Sequence, residues 1–334
     1  MANRKATRVP FLFVRGSIFY TLCWHEIFFD HGTPILPPPL KKNSRVALVS
    51  PAGPATAEEL ERSADNARSL GWEPVTGQHA GKKHFGYLAG EDAHRLEDLN
   101  DAIRDAKVDG IWCTRGGYGA MRLIEQLDYD ALKKNPKTII GYSDITALHS
   151  AIYNKTGLVT FHGPTAREKL TDFSRVSLMK AVAERTDPCG VAENAREIAP
   201  GRAEGRLAGG NLSTLVALVG TPYATDLDGA ILILEDVNET LYRVDRMLHQ
   251  LLLAGSFKGC RGIAFGDFTG AEEEGKTEGL DALIGMFAKQ LGVPCLGGIP
   301  VGHIAEQWTI PFGAIATLDT AKRSINVTFK EAAR

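Results

Sequence analysis

From Ser44 onward, short runs of apolar and often β-branched residues alternate with segments of helical periodicity. The first such run is 46–49, and a helical period over 60–70 follows it. Strands that are apolar along their whole length are buried on both faces, as in a parallel sheet covered by helices. The alternation therefore predicts an α/β fold built around a mostly parallel sheet.

The same alternation continues through the chain and ends in a predicted β-hairpin. Further strands are predicted at 110–113, 138–140, 158–161, 230–234 and 262–265, and further helices at 96–106, 145–153, 242–253 and 280–291. Two late runs, 314–318 and 324–329, flank a polar turn and predict the hairpin.

The length of 334 residues and the change of pattern along the chain predict two domains. Residues 44–165 are predicted to form an N-terminal α/β domain that carries the nucleophile. Residues 203–330 are predicted to form a C-terminal mixed α/β domain that carries the acid and the base. Between them, 166–202 has weak periodicity and many charges, so it is predicted to be a linker.

The first 43 residues differ from the rest of the chain. They begin basic, continue with an aromatic-rich run, and end in three successive prolines and two lysines. Charged residues such as Arg15 and Glu26 interrupt the apolar run, which disfavours a secretory signal. Residues 1–43 are therefore predicted to be an extension outside the fold.

The composition excludes several classes of partner. Lys and Arg number 38 against 40 Asp and Glu, so the net charge of -2 argues against electrostatically driven binding of nucleic acid. No stretch of about 18 apolar residues predicts a membrane span. The five cysteines form no C-x-x-C pair, which disfavours a disulfide framework or a zinc cage. We expect a soluble protein of a reducing compartment.

A serine lies where a predicted strand turns into a predicted helix. Residues 141–144 read Gly-Tyr-Ser-Asp at this turn. A serine there exposes its hydroxyl above the sheet edge, at the positive end of a helix dipole that stabilises an oxyanion. Ile145 replaces the last glycine of the G-x-S-x-G pattern, so the match to the nucleophile elbow of hydrolases is partial. Ser143 is a candidate nucleophile, and a helix N-cap at Ser143 or Asp144 is the structural alternative.

A glycine-rich loop follows the predicted strand 110–113. Residues 114–119 read Thr-Arg-Gly-Gly-Tyr-Gly. Glycines let backbone N–H groups face a ligand, which suits an anion or an oxyanion. The G-x-G-x-x-G pattern is not met and no Gly-Lys-Ser/Thr follows, so a nucleotide phosphate loop is disfavoured. A purely structural turn stays open.

Carboxylates follow the predicted strand 230–234, where ligands of α/β sheets usually bind. Glu235 is the first of them and is placed to orient a histidine. The remaining charged residues of this region are predicted to form a solvated ion-pair cluster; they are Asp236, Glu239, Asp245 and Arg246.

Two histidines compete for the role of general base. His303 follows a glycine in a loop, a setting that suits proton transfer, and His162 lies at the end of the predicted strand 158–161. A nucleophilic serine needs a base, and the base needs an acid to orient it. Ser143, Glu235 and His303 are therefore predicted to form a triad, in the chain order of α/β-hydrolases.

Five motifs taken together resemble the LD-carboxypeptidase family of serine peptidases, and the likeness covers about 44–329. They are Thr114-Arg-Gly-Gly-Tyr-Gly119, Gly141-Tyr-Ser-Asp144, Gly209-Gly-Asn-Leu-Ser213, Leu234-Glu-Asp-Val237 with Tyr242-Arg-Val-Asp-Arg246, and Gly302-His303. The resemblance implies that Ser143 is the nucleophile and that Glu235 and His303 complete the triad. It also implies an oxyanion hole made by the backbone N–H groups of Asp144 and of Gly116 or Gly117.

The same resemblance implies a substrate and a reaction. The expected activity removes the terminal D-alanine of murein tetrapeptide, at the bond between an L-centre and a D-residue, during cell-wall recycling in the cytoplasm. The expected partner is this murein peptide, with no metal and no organic cofactor, and a homodimer stays open.

Two alternatives remain at this stage. The first is a microcin C self-immunity peptidase that cleaves an aminoacyl-nucleotide conjugate, although Phe161-His-Gly-Pro164 and the short core favour the murein type. The second is a non-catalytic protein whose glycine loop holds an anion, for which Ser143 and His303 would be dispensable.

Overall fold

Two β-sheets flanked by helices form the fold. The computed structural model describes residues 34–271 and 278–329. The strands are β1 Arg45–Val49, β2 Glu73–Thr76, β3 Gly110–Cys113, β4 Thr138–Gly141, β5 Thr160–His162, β6 Gly190–Val191, β7 Arg196–Ala199, β8 Arg202–Asn211, β9 Ala230–Val237, β10 Gly262–Thr269, β11 Cys295–Gly297, β12 Ile310–Phe312, β13 Ile315–Asp319 and β14 Ser324–Thr328.

The α-helices lie between these strands. They are α1 Ala57–Ser69, α2 Asp92–Arg104, α3 Tyr129–Lys134, α4 Thr146–Thr156, α5 Asp172–Met179, α6 Leu212–Ala217, α7 Leu241–Leu253 and α8 Glu278–Leu291. Short 3-10 turns precede α3 and α4, and a π-helical turn, Lys180–Glu184, continues α5.

The first sheet has six strands in the order β12-β5-β4-β3-β1-β2. The first five strands of the chain pair in parallel, whereas β12 pairs antiparallel with β5 at one edge. Ala47 and Val49 pack with α2 and α4 on one face, while Val46 and Leu48 pack with α1 and α5 on the other. Burial on both faces explains why these strands are apolar along their whole length.

The second sheet has eight strands in the order β6-β14-β13-β8-β9-β10-β11-β7. Strands β8 to β11 run parallel, and antiparallel strands flank them on both sides. One face packs against α6, α7 and α8, and the other covers Trp308 and Ile310 on the way to β12. The predicted mixed α/β fold is confirmed, and so is the terminal hairpin of β13 and β14.

Two segments contribute more to the fold than their sequence indicates. Leu40, in the predicted extension, is only 2% exposed, and its N–H donates to the carbonyl of Val182. The predicted linker contains α5, β6 and β7, and its two strands complete both edges of the second sheet. The fold therefore includes residues from Ile35 onward, where a bridge to Leu158 forms. The rest of the predicted extension lies outside the described residues, and the domain limits stay a prediction.

The carboxyl ends of parallel strands lie along the same side of a sheet, and the candidate groups follow these ends. The turn after β1, the glycine loop after β3 and the Ser143 turn after β4 all lie there. In the second sheet, β8 and β9 run in parallel with Asn211 opposite Glu235. The loop between β11 and β12, which carries His303, connects the second sheet back to the first.

We expect Gly209→Ala to destabilise the protein by more than about 3 kcal/mol. Gly209 has a φ of 134°, and a Cβ there would lie 1.9 Å from the carbonyl oxygen of Ile233 on β9. The backbone of β9 cannot yield without breaking the β8–β9 pairing. The measurement is the urea midpoint of unfolding.

Gly285→Ala is the matched control for this experiment. Gly285 lies inside α8, and an added Cβ would make an ordinary contact of 3.5 Å with Ile198. Replacing a helical glycine by alanine stabilises by roughly 0.5–1 kcal/mol. An unchanged midpoint in Gly209→Ala would contradict the close packing of β8 on β9.

Candidate active site

Ser143 lies on a sharp turn between β4 and α4. Its φ is 65°, in the left-handed region that few residues other than glycine adopt, and Tyr142 before it is extended. A 3-10 turn over Ser143–Ile145 then leads into α4. A strained strand-to-helix turn of this kind projects a side chain away from the sheet edge. The alternative of a helix N-cap is not seen, because neither the 3-10 turn nor α4 has a side-chain cap.

A chain of two hydrogen bonds links Ser143 to the second sheet. His303 Nε2 lies 3.2 Å from Ser143 Oγ, and His303 Nδ1 lies 2.8 Å from Glu235 Oε2. Because a carboxylate accepts, the Nδ1–H of the ring donates to Glu235 and leaves Nε2 free to accept from the serine hydroxyl. The structure therefore brings together the three residues that the sequence proposed as a triad.

Glu235 is fully buried at the end of β9. Burial raises the pKa of this carboxyl, and the hydrogen bond and charge of His303 oppose that effect. For His303, burial disfavours the charged ring, but the hydrogen bond to Glu235 and the nearby carboxylates outweigh it. The pKa of His303 is therefore raised above its ordinary value of 6.5. The buried carboxylate thus makes the imidazole a stronger base.

His162, the competing histidine, lies elsewhere in the core. It is 0% exposed, and neither ring nitrogen has a hydrogen-bond partner among residues 34–271 and 278–329. Burial lowers its pKa well below 6.5, with repulsion from His149 and His303 adding to the shift. The ring of Tyr142 lies beside both candidate histidines: its centroid is 5.8 Å from that of His162 and 4.8 Å from that of His303. The ring that accepts the hydrogen bond of the Ser143 hydroxyl is that of His303.

The glycine loop packs directly against the nucleophile. A Cβ on Gly116 would lie 2.8 Å from Ser143 Cβ and 3.0 Å from its Oγ, so only glycine allows this approach. The N–H of Gly53, after β1, donates to the carbonyl of Gly116 and holds the loop from the other side. Within the described part of the chain, the N–H groups of Gly116 and Asp144 make no hydrogen bond.

The side chain of Asp144 ties the glycine loop to the Ser143 turn. It is 7% exposed, and its Oδ2 accepts the N–H of Ala120 at 2.8 Å. Burial raises the pKa of this carboxyl to about 6, while that N–H group and the charge of Arg95 oppose the shift. Asp144 thus holds the loop in place with its carboxylate and leaves its own N–H beside the serine.

One sequence expectation is wrong in this region. Asp236 was expected in a solvated ion-pair cluster, yet it is only 2% exposed. Its carboxylate accepts from the Asn211 amide at 2.9 Å and from the Ser213 N–H at 2.8 Å. Charge alone suggested the surface, whereas these donors compensate the burial of Asp236. The Glu239–Arg243 ion pair lies nearer the surface.

Asn211 and Tyr142 are site residues that sequence reasoning did not single out. The Asn211 N–H donates to Thr146 Oγ1 at 3.0 Å, and its side chain caps α6 at Thr214. Both residues belong to motifs that carried the family resemblance, which is the signal that pointed to them. Among the residues that the structure describes, no group of three His, Cys, Asp or Glu is arranged to hold a metal ion. No described helix has the length and apolar character of a membrane span.

Two family models match the sequence of this chain. The LD-carboxypeptidase N-terminal domain matches residues 46–163, and the LD-carboxypeptidase C-terminal domain matches residues 204–318. The chain belongs to the LD-carboxypeptidase family. The family assignment makes it a serine-type carboxypeptidase, in agreement with the resemblance seen in the sequence.

Named relatives of this family align over most of the chain. A probable murein peptide carboxypeptidase of Bacillus subtilis is 36% identical over 302 residues, covering 86% of this chain and 92% of the relative. The murein tetrapeptide carboxypeptidase of Pseudomonas aeruginosa is 33% identical over 293 residues, covering 83% and 94%. A solved microcin C7 self-immunity protein, bound to aspartyl sulfamoyl adenosine, is 28% identical with a TM-score of 0.81, covering 89% and 99%.

We expect Gly116→Ala to slow the reaction of Ser143 with a fluorophosphonate by at least about tenfold. The added methyl group must displace either the serine or the loop, because both neighbouring atoms lie within 3.0 Å. The variant should remain folded, because Gly116 is only half-buried and lies in a loop, and the urea midpoint checks this. Gly285→Ala again serves as the control, and labelling of Gly116→Ala at the wild-type rate would contradict the contact.

Proposed function

We propose that this protein is a murein tetrapeptide carboxypeptidase that releases the terminal D-alanine. The observation that carries the proposal is the hydrogen-bonded chain from Ser143 through His303 to the buried Glu235. The family assignment and the murein peptidases among the relatives support the substrate class. In this proposal the protein acts in the cytoplasm on peptides from cell-wall recycling.

The first half of the reaction forms an acyl-enzyme. His303 Nε2 takes the proton of Ser143, and Oγ attacks the carbonyl carbon of the last peptide bond. The N–H groups of Asp144 and of Gly116 or Gly117 hold the resulting oxyanion. His303 then gives its proton to the amine of the leaving D-alanine as the C–N bond breaks.

The second half uses the same groups. His303 takes a proton from water, the hydroxide attacks the acyl carbon, and Ser143 recovers its proton as the ester bond breaks. Glu235 stays ionised throughout and stabilises the positive ring that forms in each half. Its burial strengthens this attraction, because few waters compete for the carboxylate.

The test of the proposal offers two substrates. The protein is incubated with murein tetrapeptide and, separately, with an aminoacyl-nucleotide conjugate, and the released products are identified by mass. We expect the tripeptide and free D-alanine from the first. Release of the amino acid from the conjugate alone would instead assign the microcin-type activity, which the structural similarity to the self-immunity protein makes the second candidate.

We expect Ser143→Ala to lower kcat by roughly 10⁴-fold or more, because a triad nucleophile cannot be replaced by its neighbours. The fold should be unchanged, which the urea midpoint checks. Ser69→Ala, at the exposed end of α1, is the matched control. A Ser143→Ala protein with wild-type turnover would rule out Ser143 as the nucleophile, whereas a wild-type protein without turnover would leave the non-catalytic alternative.

The pH dependence tests the role of Glu235. The base is active when neutral, so kcat/KM should rise with pH through a limb that lies above 6.5, because the pKa of His303 is raised. Glu235→Gln removes the carboxylate charge, so the limb should move to lower pH while kcat falls by roughly 10³–10⁴. Glu239→Gln, whose carboxylate pairs with Arg243, should leave the limb in place. A limb that does not move in Glu235→Gln would contradict the assigned pair.

A further inference from the structure

Arg115 immediately precedes Gly116 in the glycine loop, and its guanidinium lies on the turn after β1. Arg115 Nη1 donates to the carbonyl of Pro54 at 2.9 Å, and Nε lies 3.2 Å from where a Cβ on Gly53 would be. Gly53 itself donates to the carbonyl of Gly116, the residue that packs on Ser143. The guanidinium therefore lies against Gly53, whose N–H holds the carbonyl of Gly116 next to Ser143.

Arg115 forms no salt bridge in the described part of the chain. Its side chain is half-buried, its Nε is buried without a hydrogen-bond partner, and no carboxylate lies within 4.0 Å among residues 34–271 and 278–329. The neighbouring arginines differ, because Arg95 and Arg122 both pair with Asp92. Keeping a partly desolvated cation unpaired is costly, so such a group calls for an anion that the protein does not supply.

A second arginine increases the positive potential at this place. The N–H of Arg167 donates to the carbonyl of Thr114, and its guanidinium is paired with Glu59. Burial lowers the pKa of Arg115, the charge of Arg167 lowers it further, and Glu59 opposes both. Glu168, the next residue after Arg167, is hydrogen-bonded to Thr165 and Gln307. The acid whose charge acts on Arg115 is thus Glu59, which is already paired with Arg167.

We propose that Arg115 binds the terminal carboxylate of the peptide whose last bond Ser143 attacks. This inference rests on the proposed function and names what that site recognises. Consecutive Cα atoms lie about 3.8 Å apart, both between Arg115 and Gly116 and across the bond to be cut. The carboxylate of the leaving residue lies one residue beyond the bond that Ser143 attacks, and Arg115 is one residue from Gly116, which packs on Ser143. A guanidinium binds a carboxylate through two parallel N–H···O bonds, which suits this role.

The binding of a terminal carboxylate accounts for exopeptidase selectivity. An internal residue of a longer peptide presents an amide at this position, and an amide cannot satisfy the positive charge of Arg115. Desolvating the guanidinium against a neutral group would leave that charge uncompensated. The site thus selects the last residue of a chain by its charge.

The test compares two peptides that differ only in the terminal group. One ends in D-alanine with a free carboxylate, and the other ends in D-alaninamide. We expect wild-type protein to prefer the free acid in kcat/KM by about 100-fold, and Arg115→Gln to lose most of that preference through a higher KM for the acid. Activity on the amide should stay within about threefold, and Arg115→Lys should recover part of the preference because it restores the charge.

The matched control is Arg122→Gln, a nearby arginine already paired with Asp92, which should keep the wild-type preference. A preference that is unchanged in Arg115→Gln would overturn the inference and leave the proposed function standing. A protein that cleaves neither peptide would instead contradict the proposed function.

Peptide binding to the Ser143→Ala protein tests the role of Arg115 without turnover. Calorimetry should show that Ser143→Ala binds the acid peptide more tightly than the amide, and that adding Arg115→Gln weakens binding of the acid alone. Equal affinities for the two peptides, or no binding of the acid, would overturn the inference. The urea midpoint of Arg115→Gln establishes that the variant is folded in both assays.

Discussion

The close approach of the two sheets at Gly210 fixes the geometry of the site. Gly210 has a φ of 125°, and a Cβ there would lie 2.4 Å from Thr146 Oγ1, in the first turn of the helix that follows Ser143. The next residue, Asn211, donates its N–H to the same hydroxyl and lies opposite Glu235 in the β8–β9 pairing. The serine turn and the carboxylate strand are thereby aligned through one glycine and one threonine.

This alignment places the buried charge of Glu235 next to the ring of His303. Glu235 reaches His303 from a position without solvent, so its charge acts on the imidazole with little screening. Asp236 accepts hydrogen bonds from the Asn211 amide and from the Ser213 N–H, whereas Glu235 Oε2 accepts from His303. Glu235 thus orients His303, whereas its neighbour in sequence, Asp236, binds Asn211 and Ser213.

The sequence predicted those parts of the fold that depend on local pattern. Strands such as β1 and β4 are apolar throughout because helices cover both faces of the first sheet. The serine turn could be predicted because a strand, a small polar residue and a helix follow one another directly. His303 and Glu235 were found because α/β sheets place reactive groups at strand ends and in the loops beyond them.

What the sequence did not predict depends on contacts between distant residues. Strand β12 has only three residues and owes its place to pairing with β5, more than 140 residues earlier in the chain. Asp236 is buried because Asn211 and Ser213 supply its donors, which no local pattern reveals. Leu40 joins the core through Val182 in a segment whose composition indicated an extension.

The acyl-enzyme on Ser143 is the most direct test of the account. A depsipeptide in which D-lactate replaces the terminal D-alanine has a better leaving group, so acylation should outrun deacylation and the intermediate should accumulate. Rapid quenching and mass spectrometry should then find the acyl group on the peptide that contains Ser143, and not in Ser143→Ala. Turnover of the depsipeptide with no adduct on Ser143, at an equal rate in the Ser143→Ala protein, would contradict the central claim.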